Sequence, residues 1–399
     1  MRHFVSFLII FFSLAGTIVR AQDGHTVPGR IVRFTDSLAQ QFAPDRRTAL
    51  FDIAYTPDGS RLAVRGVTTS QEAHDRLLRQ LKAWGYRVDN KVRILPDSVL
   101  LAGKPYGVVN LSVANLRAQP GYGAEMVTQA LLGTPVRLLE GSSWYHIQTP
   151  DSYLSWVIDA AVTRMTKTEL EAWNHADKLV VTSHFAFVYS APDRRSQTVS
   201  DIVSGCRLRL LADEGDFFRV AYPDGRTGFV HRDDGQPEHQ WRSQLRQDAT
   251  ALISTAFTLM GIPYLWAGMS AKGMDCSGFV RTVFFLHDIV LPRDASQMAL
   301  VGERVDVSAG YDALQPGDLL FFGRKATDTR PERVIHVAIY LGGKRFIHSL
   351  GSVHVGSLDP VDPLFDEYNT RTLLYGRRVL PYVNRMDGIM TTGNNPFYQ

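Results

Sequence analysis

Hydrophobic and polar positions follow both helical and strand periods in the first quarter of the chain. Apolar residues at helical spacing predict an amphipathic helix over residues 71–84, which Gly85 would end. Alternating apolar residues predict three strands, at residues 49–55, 61–67 and 88–95. Residues 25–105 are therefore predicted to form a small α/β unit, in which no chemical motif is found.

A pattern of short apolar runs separated by turn residues occurs twice in the middle of the chain. The pattern of residues 127–139 recurs at residues 199–211, and the offset grows from 72 to 73 residues further along, which indicates one inserted residue. Many short strands with tight turns are typical of small β-barrels. We therefore predict two such domains, over residues 106–165 and 178–235.

The pattern changes again after residue 240. Helical periods cover residues 248–260 and 276–287. Strand-like runs follow at residues 318–322, 335–341, 345–350 and 353–358. Helices followed by an antiparallel sheet predict an α+β domain, here over residues 242–383.

The N-terminus has the pattern of a signal peptide. Arg2 precedes an apolar run from Phe4 to Val19, and small residues lead up to a cleavage point after Ala21. The run is shorter than the roughly 20 residues that span a bilayer, although an uncleaved anchor is the alternative. We expect residues 1–21 to be removed and the protein to be exported, to the periplasm or outside the cell, without a stable membrane anchor.

Charge and cysteine content narrow the functional classes. The 43 basic and 40 acidic residues nearly balance, which gives no indication of a nucleic-acid partner. The chain has only two cysteines, which in an exported protein could form one disulfide. Cys206 lies in an apolar stretch typical of a buried core thiol, and Cys276 has the surroundings of a nucleophile. We expect both thiols to be free and the protein to be a monomer.

Cys276 is the candidate nucleophile. It follows Asp275, a preferred N-cap residue, so Cys276 would occupy the first helical position. The free N–H groups and the dipole of a helix start stabilise a thiolate, which would lower the pKa of this thiol. The alternative is a buried structural cysteine.

Two histidines follow Cys276 on predicted strands. His336 and His348 flank a glycine-rich hairpin, and a loop of three or five residues centred on Gly342 would set them directly opposite each other. A two-residue Gly-Gly turn would instead place them on opposite faces. In the favourable register His336 exchanges a proton with Cys276 and His348 orients its ring. Other histidines, His146, His287 and His354, are expected to be structural, and no spacing predicts a metal site.

These motifs resemble the NlpC/P60 family of papain-like cell-wall peptidases. The resemblance covers residues 245–380 and rests on Asp-Cys-Ser-Gly-Phe at 275–279, His-Val-Ala-Ile-Tyr-Leu-Gly at 336–342 and Phe-Ile-His at 346–348. The family's Pro-Tyr-x-Trp-Gly-Gly element stands at 263–268 with Ala267 in place of the first Gly. The resemblance implies that the Tyr264 hydroxyl and the Cys276 N–H stabilise the oxyanion.

The repeat resembles bacterial SH3 modules, which open with Leu-Arg-x-x-Pro, as at 116–120. Two such modules before the peptidase domain are similar to γ-D-glutamyl-L-diamino acid endopeptidases, the dipeptidyl-peptidase VI group. That resemblance implies that the first module roofs the site and that Glu125 and Tyr153 bind a free amino group, although Ser152 and Ser155 replace the usual glycines around Tyr153. It also implies substrate-side roles for five residues near the nucleophile: Asp275, Ser277, Trp266, Arg293 and Asp294. Arg293 would hold the D-Glu α-carboxylate, and Asp294 would bind substrate or pair with Arg293.

The sequence thus predicts an exported cysteine peptidase that cuts peptidoglycan stem peptides between γ-D-Glu and the L-diamino acid, without a metal or an organic cofactor. Two alternatives stay open. One is an amidase or acyltransferase that acts on another substrate, and the other is a cell-wall-binding protein without activity.

Overall fold

The computed structural model describes residues 27–399, which form two compact units divided after Asp97. The predicted signal peptide lies outside the described residues. Among the helices that the model describes, none is long and apolar enough to cross a membrane.

The first unit has the predicted α/β character. It consists of α1 (Gly29–Phe42), β1 (Phe51–Asp58), β2 (Arg61–Thr68), α2 (Gln71–Ala83) and β3 (Arg87–Ile94). The Ser70 hydroxyl caps α2, which buries Leu77 and Leu81 as its apolar period predicts, and Gly85 follows with a positive φ. The helix α1 was not predicted, although Ile31 and Leu38 form a buried stripe on it.

Two seven-stranded sheets follow in the second unit. The first, here called module 1, contains β4 (Tyr106–Val109), β5 (Val113–Arg117), β6 (Met126–Leu131), β7 (Pro135–Gly141), β8 (Trp144–Gln148), β9 (Leu154–Ile158) and β10 (Val162–Met165). After α3 (Lys167–His175), module 2 contains β11 (Lys178–Val181), β12 (Phe185–Tyr189), β13 (Thr198–Val203), β14 (Arg207–Glu214), β15 (Phe217–Ala221), β16 (Thr227–His231) and β17 (Gly235–Pro237).

The two modules have the same architecture. The sheet order β10-β4-β7-β8-β9-β5-β6 of module 1 is repeated strand for strand by β17-β11-β14-β15-β16-β12-β13 of module 2. Strands of module 2 begin 72 residues after their counterparts as far as β14, and 73 residues after them from β15 onward. Because β14 is one residue longer than β7, the predicted insertion lies in the β14–β15 hairpin.

The remaining chain forms the α+β domain that the sequence predicts. It contains α4 (Glu238–Gln244), α5 (Ala249–Thr258), β18 (Met269–Ser270), β19 (Gly273–Met274), α6 (Cys276–Phe285), β20 (Ile289–Val290), α7 (Ala295–Met298), β21 (Glu303–Val305), β22 (Leu319–Arg324), β23 (Arg333–Gly342), β24 (Arg345–Leu350), β25 (Ser352–Ser357), α8 (Glu367–Thr372), β26 (Leu373–Arg378) and β27 (Met390–Thr391). The main sheet has the order β21-β26-β22-β23-β24-β25. Phe279 and Val283 of α6 share one buried core with Val337 and Ile339 of β23, which fixes the start of α6 against the sheet.

Module 1 packs directly on the α+β domain. The Gln129 side chain accepts a hydrogen bond from the Met269 N–H at 2.8 Å. Arg281 of α6 pairs with the nearly fully buried Asp151 at 3.1 Å. Paired charges of this kind hold their neighbours in a defined geometry because either partner left alone would be a buried unpaired charge.

The C-terminal tail returns to the modules. Asn395 donates to the Pro150 carbonyl at 2.8 Å, and Tyr398 forms a side-chain hydrogen bond with Thr134, both residues of module 1. The Tyr398 ring also lies 5.7 Å from the guanidinium of Arg207 in module 2. The tail therefore connects both modules to the α+β domain, an arrangement that its sequence did not indicate.

Candidate active site

The candidate nucleophile lies at the first position of α6. The Asp275 carboxylate caps the helix by accepting from the Gly278 N–H at 2.6 Å, and its second oxygen accepts from the Ala267 N–H at 3.0 Å. The helix start packs so tightly on the preceding loop that a Cβ on Gly278 would lie 1.9 Å from the Gly268 carbonyl oxygen. Asp275 and Gly278 thus set the position of the Cys276 thiol.

The protonation state of Cys276 differs from the expectation. Burial raises the pKa of the Cys276 thiol, and the adjacent Asp275 carboxylate acts in the same direction. The backbone N–H groups of Val337 and Ser277 oppose the shift without reversing it. The prediction of a lowered pKa is therefore wrong for the free protein, because desolvation of the thiolate outweighs the helix start. The neutral thiol needs a base that accepts its proton.

That base is available on β23. The hydrogen bond from the Val337 N–H places the Cys276 sulfur one residue along the strand from His336. The His336 Nε2 is 2.8 Å from the His348 Nδ1. The second ring nitrogen of His336, Nδ1, is the one that is not used in this contact. The fold thus brings the three residues together, and their catalytic roles stay predictions.

The register of the two histidines differs from the one expected. The turn is formed by Gly343 and Lys344, both with positive φ, between the paired residues Gly342 and Arg345. Such a two-residue turn alone would put the histidines on opposite faces. A register shift between Tyr340 and Gly342 restores the common face but offsets the rings diagonally, with Tyr340 opposite Phe346. The prediction of a directly opposite pair is therefore wrong, while the prediction of contact is confirmed.

Both histidines are neutral at physiological pH. Burial lowers the pKa of His336 to about 4, against the smaller opposing effect of Asp366 and Asp275. Burial also lowers the pKa of His348 to about 2, and the neighbouring rings of His336 and His354 act in the same direction. A neutral imidazole next to a neutral thiol is the arrangement that general-base activation requires.

Tyr264 lies beside the nucleophile. Its N–H donates to the Gly351 carbonyl at 2.9 Å, which joins the loop before α6 to the end of β24. Burial raises the pKa of the Tyr264 phenol, and the proximity of Cys276 and Asp275 adds to the shift. The phenol therefore keeps its proton and can donate a hydrogen bond to a developing oxyanion. The Cys276 N–H, at the first helical position, has no intrahelical acceptor and is the second candidate donor.

Arg293 lies in a buried hydrogen-bond network next to the nucleophile. Its side chain is fully buried, and its guanidinium donates to both Asp275 oxygens, at 2.7 and 3.3 Å. It also donates to the Ser277 hydroxyl and to the Thr128 hydroxyl of module 1, each at 2.7 Å. The predicted role of Arg293 in holding a substrate carboxylate stays a prediction, beside its structural role in this network. The side chains of Asp275 and Ser277 are buried in the same network, and their predicted contact with substrate stays a prediction.

The residues expected to bind an amino group lie at the boundary between module 1 and the α+β domain. Glu125 is exposed and accepts a hydrogen bond from the indole N–H of Trp266 at 3.2 Å. Tyr153 donates its hydroxyl proton to Asp294 at 3.3 Å, which leaves the oxygen lone pairs of the phenol as acceptors. The Asp294 carboxylate thus orients Tyr153.

Sequence reasoning missed two residues of this region. Thr128 connects module 1 to Arg293 and gave no signal, since it lies inside a strand pattern. His354 was expected to be structural, and its contact with His348 could have been found because the two histidines lie symmetrically about Gly351, which marks a hairpin. The structural role expected for His287 fits its contacts with Thr255 and the Arg246 carbonyl. Among the residues described, no cluster of His, Cys, Asp and Glu could hold a metal ion.

A thiol and a strand-borne imidazole in contact with a second histidine are the groups of a thiol hydrolase, and comparisons with known proteins agree. Residues 261–377 match the NlpC/P60 family, and residues 116–162 match the bacterial dipeptidyl-peptidase SH3 domain.

Relatives match over more than half of the chain. A γ-D-glutamyl-L-lysine dipeptidyl-peptidase of Bacillus cereus is 31% identical over 56% of this chain and 67% of its own length. Its counterpart in Bacillus subtilis is 30% identical over 56% of this chain and 71% of its own length. The crystal structure of an NlpC/P60 family protein from Bacillus cereus aligns over 69% of this chain and all of that chain, with a TM-score of 0.59 and 25% identity. The chain belongs to the NlpC/P60 family of cysteine peptidases.

Proposed function

We propose that the protein hydrolyses the bond between γ-D-Glu and the L-diamino acid in peptidoglycan stem peptides that carry a free N-terminal L-Ala. The observation that carries the proposal is the placement of Glu125 and Tyr153 of module 1 beside Trp266 and Asp294 of the catalytic domain. The acceptor oxygens of Glu125 and Tyr153 suit an ammonium group. The names of the Bacillus relatives, γ-D-glutamyl-L-lysine dipeptidyl-peptidases, support the same bond.

The reaction follows from the neutral thiol–imidazole pair. His336 accepts the thiol proton at Nδ1 while the Cys276 sulfur attacks the γ-carbonyl carbon of D-Glu, and the oxyanion takes hydrogen bonds from Tyr264 and the Cys276 N–H. His336 then gives the proton to the leaving α-amine of the diamino acid, and the C–N bond breaks. Water, deprotonated by His336, hydrolyses the thioester and releases L-Ala-γ-D-Glu with the thiol restored.

The roof limits which substrates fit. A stem peptide attached to glycan has no free amine on its L-Ala and offers no charge partner for Glu125. We therefore expect trimmed muropeptides to be good substrates and intact wall to be a poor one. With the predicted signal peptide, the enzyme would meet such peptides in the periplasm or outside the cell and contribute to murein turnover.

Product analysis tests the proposal. Mass spectrometry of L-Ala-γ-D-Glu-L-Lys after incubation should show L-Ala-γ-D-Glu and free lysine, and the diaminopimelate peptide should give the matching pair. The variant Cys276→Ala should lose about 10⁴-fold or more in kcat. Cys206→Ala is the matched control, because Cys206 is fully buried and bonded to the Ser112 carbonyl, far along the chain from the site.

Two results would contradict the proposal. Cleavage at another bond, or unchanged cleavage by Cys276→Ala, would remove the assigned bond or nucleophile. Binding of the peptide without any turnover by the wild-type protein would favour the cell-wall-binding alternative.

A further inference from the structure

A chain of hydrogen bonds continues beyond the two histidines of the site. His348 and His354 are directly opposite each other in the antiparallel pair β24–β25. The His348 Nε2 is 3.0 Å from the His354 Nε2, and the His354 Nδ1 is 2.9 Å from the Ser352 carbonyl oxygen. Together with the 2.8 Å contact between His336 and His348, three imidazole rings connect the base to one peptide carbonyl.

We propose that His354 is a positioning residue that fixes the tautomers of His348 and His336 and thereby keeps the His336 Nδ1 free to act as the base. The proposal rests on the proposed function only in taking Cys276 and His336 as the reacting pair. The tautomer of His336 can be observed without any substrate.

The direction of each hydrogen bond follows from the last acceptor. A carbonyl oxygen can only accept, so the His354 Nδ1 carries a proton and, in the neutral ring, the His354 Nε2 is an acceptor. The His348 Nε2 must then donate to it, which leaves the His348 Nδ1 as an acceptor. The His336 Nε2 in turn donates to His348, and the His336 Nδ1 keeps its lone pair. One backbone carbonyl thus determines which nitrogen of His336 can accept the Cys276 proton.

Because the site is buried, this chain of hydrogen bonds determines the tautomers of the histidines. His348 is fully buried, so water does not compete for its ring nitrogens. Without the His354 acceptor, no hydrogen bond would hold the proton of the His348 ring on Nε2. The reverse tautomer of His348 would donate from Nδ1 to His336, put the His336 proton on Nδ1 and abolish the base. The same chain also polarises when His336 becomes positively charged during attack, which stabilises the imidazolium.

The test compares two replacements of His354 with the wild-type protein. His354→Gln keeps an acceptor oxygen for His348, whereas His354→Phe keeps the ring size and removes the acceptor. We expect His354→Phe to lower kcat by about 10- to 100-fold with little change in KM, by analogy with the loss of the orienting partner of a metal-binding histidine. His354→Gln should stay within about 3-fold of wild type by the same reasoning. His239→Phe, an exposed histidine outside the site, is the matched control.

Nitrogen-15 NMR of the free protein provides a readout that packing alone would not move. The wild-type spectrum should show the His336 and His348 rings protonated at Nε2, and His354→Phe should shift both toward a mixture. Equal losses of kcat for the Gln and Phe variants, full activity of the Phe variant, or a His336 ring protonated at Nδ1 in the wild type would each overturn the proposal. Absence of peptide cleavage by the wild-type protein would refute the proposed function and leave the NMR test intact.

Discussion

Burial keeps both the Cys276 thiol and the His336 imidazole neutral, because it shifts their pKa values in opposite directions. The pKa of the thiol is raised and that of the imidazole is lowered to about 4, so the two groups do not exchange a proton in the resting protein. An ion pair would have to form in a site that desolvates both charges. On this account the charged pair forms as the sulfur attacks the substrate carbonyl.

Buried neutral histidines also make the fold sensitive to acid. Because an unfolded histidine binds a proton below about pH 6.5 while buried His348 has a pKa of about 2, the unfolded chain binds more protons, and stability falls as the pH decreases from 6.5. Between pH 7 and pH 4.5, the free energy of unfolding of His348→Asn should therefore decrease by about 2 kcal/mol less than that of the wild type. Urea unfolding at the two pH values measures the difference, and His239→Asn is the exposed control. An identical loss in the wild type and in His348→Asn would contradict the neutral buried state.

Two departures from the family pattern share one conformation. Ala267 and Ser152, which stand where the resemblance leads one to expect glycine, have φ values of 62° and 65°. Glycine occupies this left-handed region without the steric cost that a Cβ brings. Both residues adjoin the site, next to Trp266 and Tyr153. The local backbone is therefore maintained by its surroundings, which include the hydrogen bond from the Ala267 N–H to Asp275.

The hairpin that carries the histidines shows where sequence reasoning succeeds and where it stops. The apolar alternation of β23 and β24 predicted both strands, and the contact between His336 and His348 followed from their common face. The loop length did not follow, because Gly342, Gly343 and Lys344 all adopt positive φ and glycine alone cannot identify which two residues form the turn. The compensating shift at Tyr340 is a packing effect that no local pattern encodes.

The start of α6 requires glycine at position 278, where there is no room for a side chain. Because a Cβ on Gly278 would lie 1.9 Å from a backbone oxygen that the Asp275 network holds in place, Gly278→Ala must displace the helix or the loop. We expect a loss of about 3 kcal/mol or more in stability and a loss of activity, since overpacking against backbone has no flexible neighbour to yield. Gly393→Ala is the control, since nothing lies within 4 Å of its added Cβ. Thermal unfolding of both variants makes the comparison. Wild-type stability of Gly278→Ala would refute this close packing.

At the scale of the whole molecule, one buried side chain joins module 1 to the start of α6. Arg293 contacts Thr128 of module 1 and Asp275 of the helix cap, so a displacement of module 1 is transmitted to the position of Cys276. The sequence predicted the modules from their repeat and the catalytic residues from their motifs. It gave no sign of the contact between Arg293 and Thr128, because a motif identifies a residue as important without showing which other part of the protein it contacts.

The C-terminal tail is predicted to stabilise this arrangement. Tyr398 contacts Thr134 of module 1 and Arg207 of module 2, and burial raises the pKa of its phenol to about 12. Tyr398→Ala removes a partly buried aromatic ring and should cost roughly 2 kcal/mol. Gln399→Ala, at an exposed neighbouring position, is the control. Denaturant unfolding provides the measurement, and equal stability of the two variants would show that the tail does not connect the modules.

The measurement that tests the central claim most directly is the ratio of kcat/KM for L-Ala-γ-D-Glu-L-Lys and its N-acetylated form. The wild-type enzyme should prefer the peptide with the free amine by about 100-fold. The acetylated peptide leaves the acceptor groups without their charged partner, and a loss of this size is expected from that. Glu125→Gln should reduce the rate on the free peptide by about 10-fold and leave the acetylated peptide unchanged, whereas the surface control Glu171→Gln should alter neither. Equal cleavage of the two peptides by the wild-type enzyme would contradict the account, because module 1 would then not select for a free amino group.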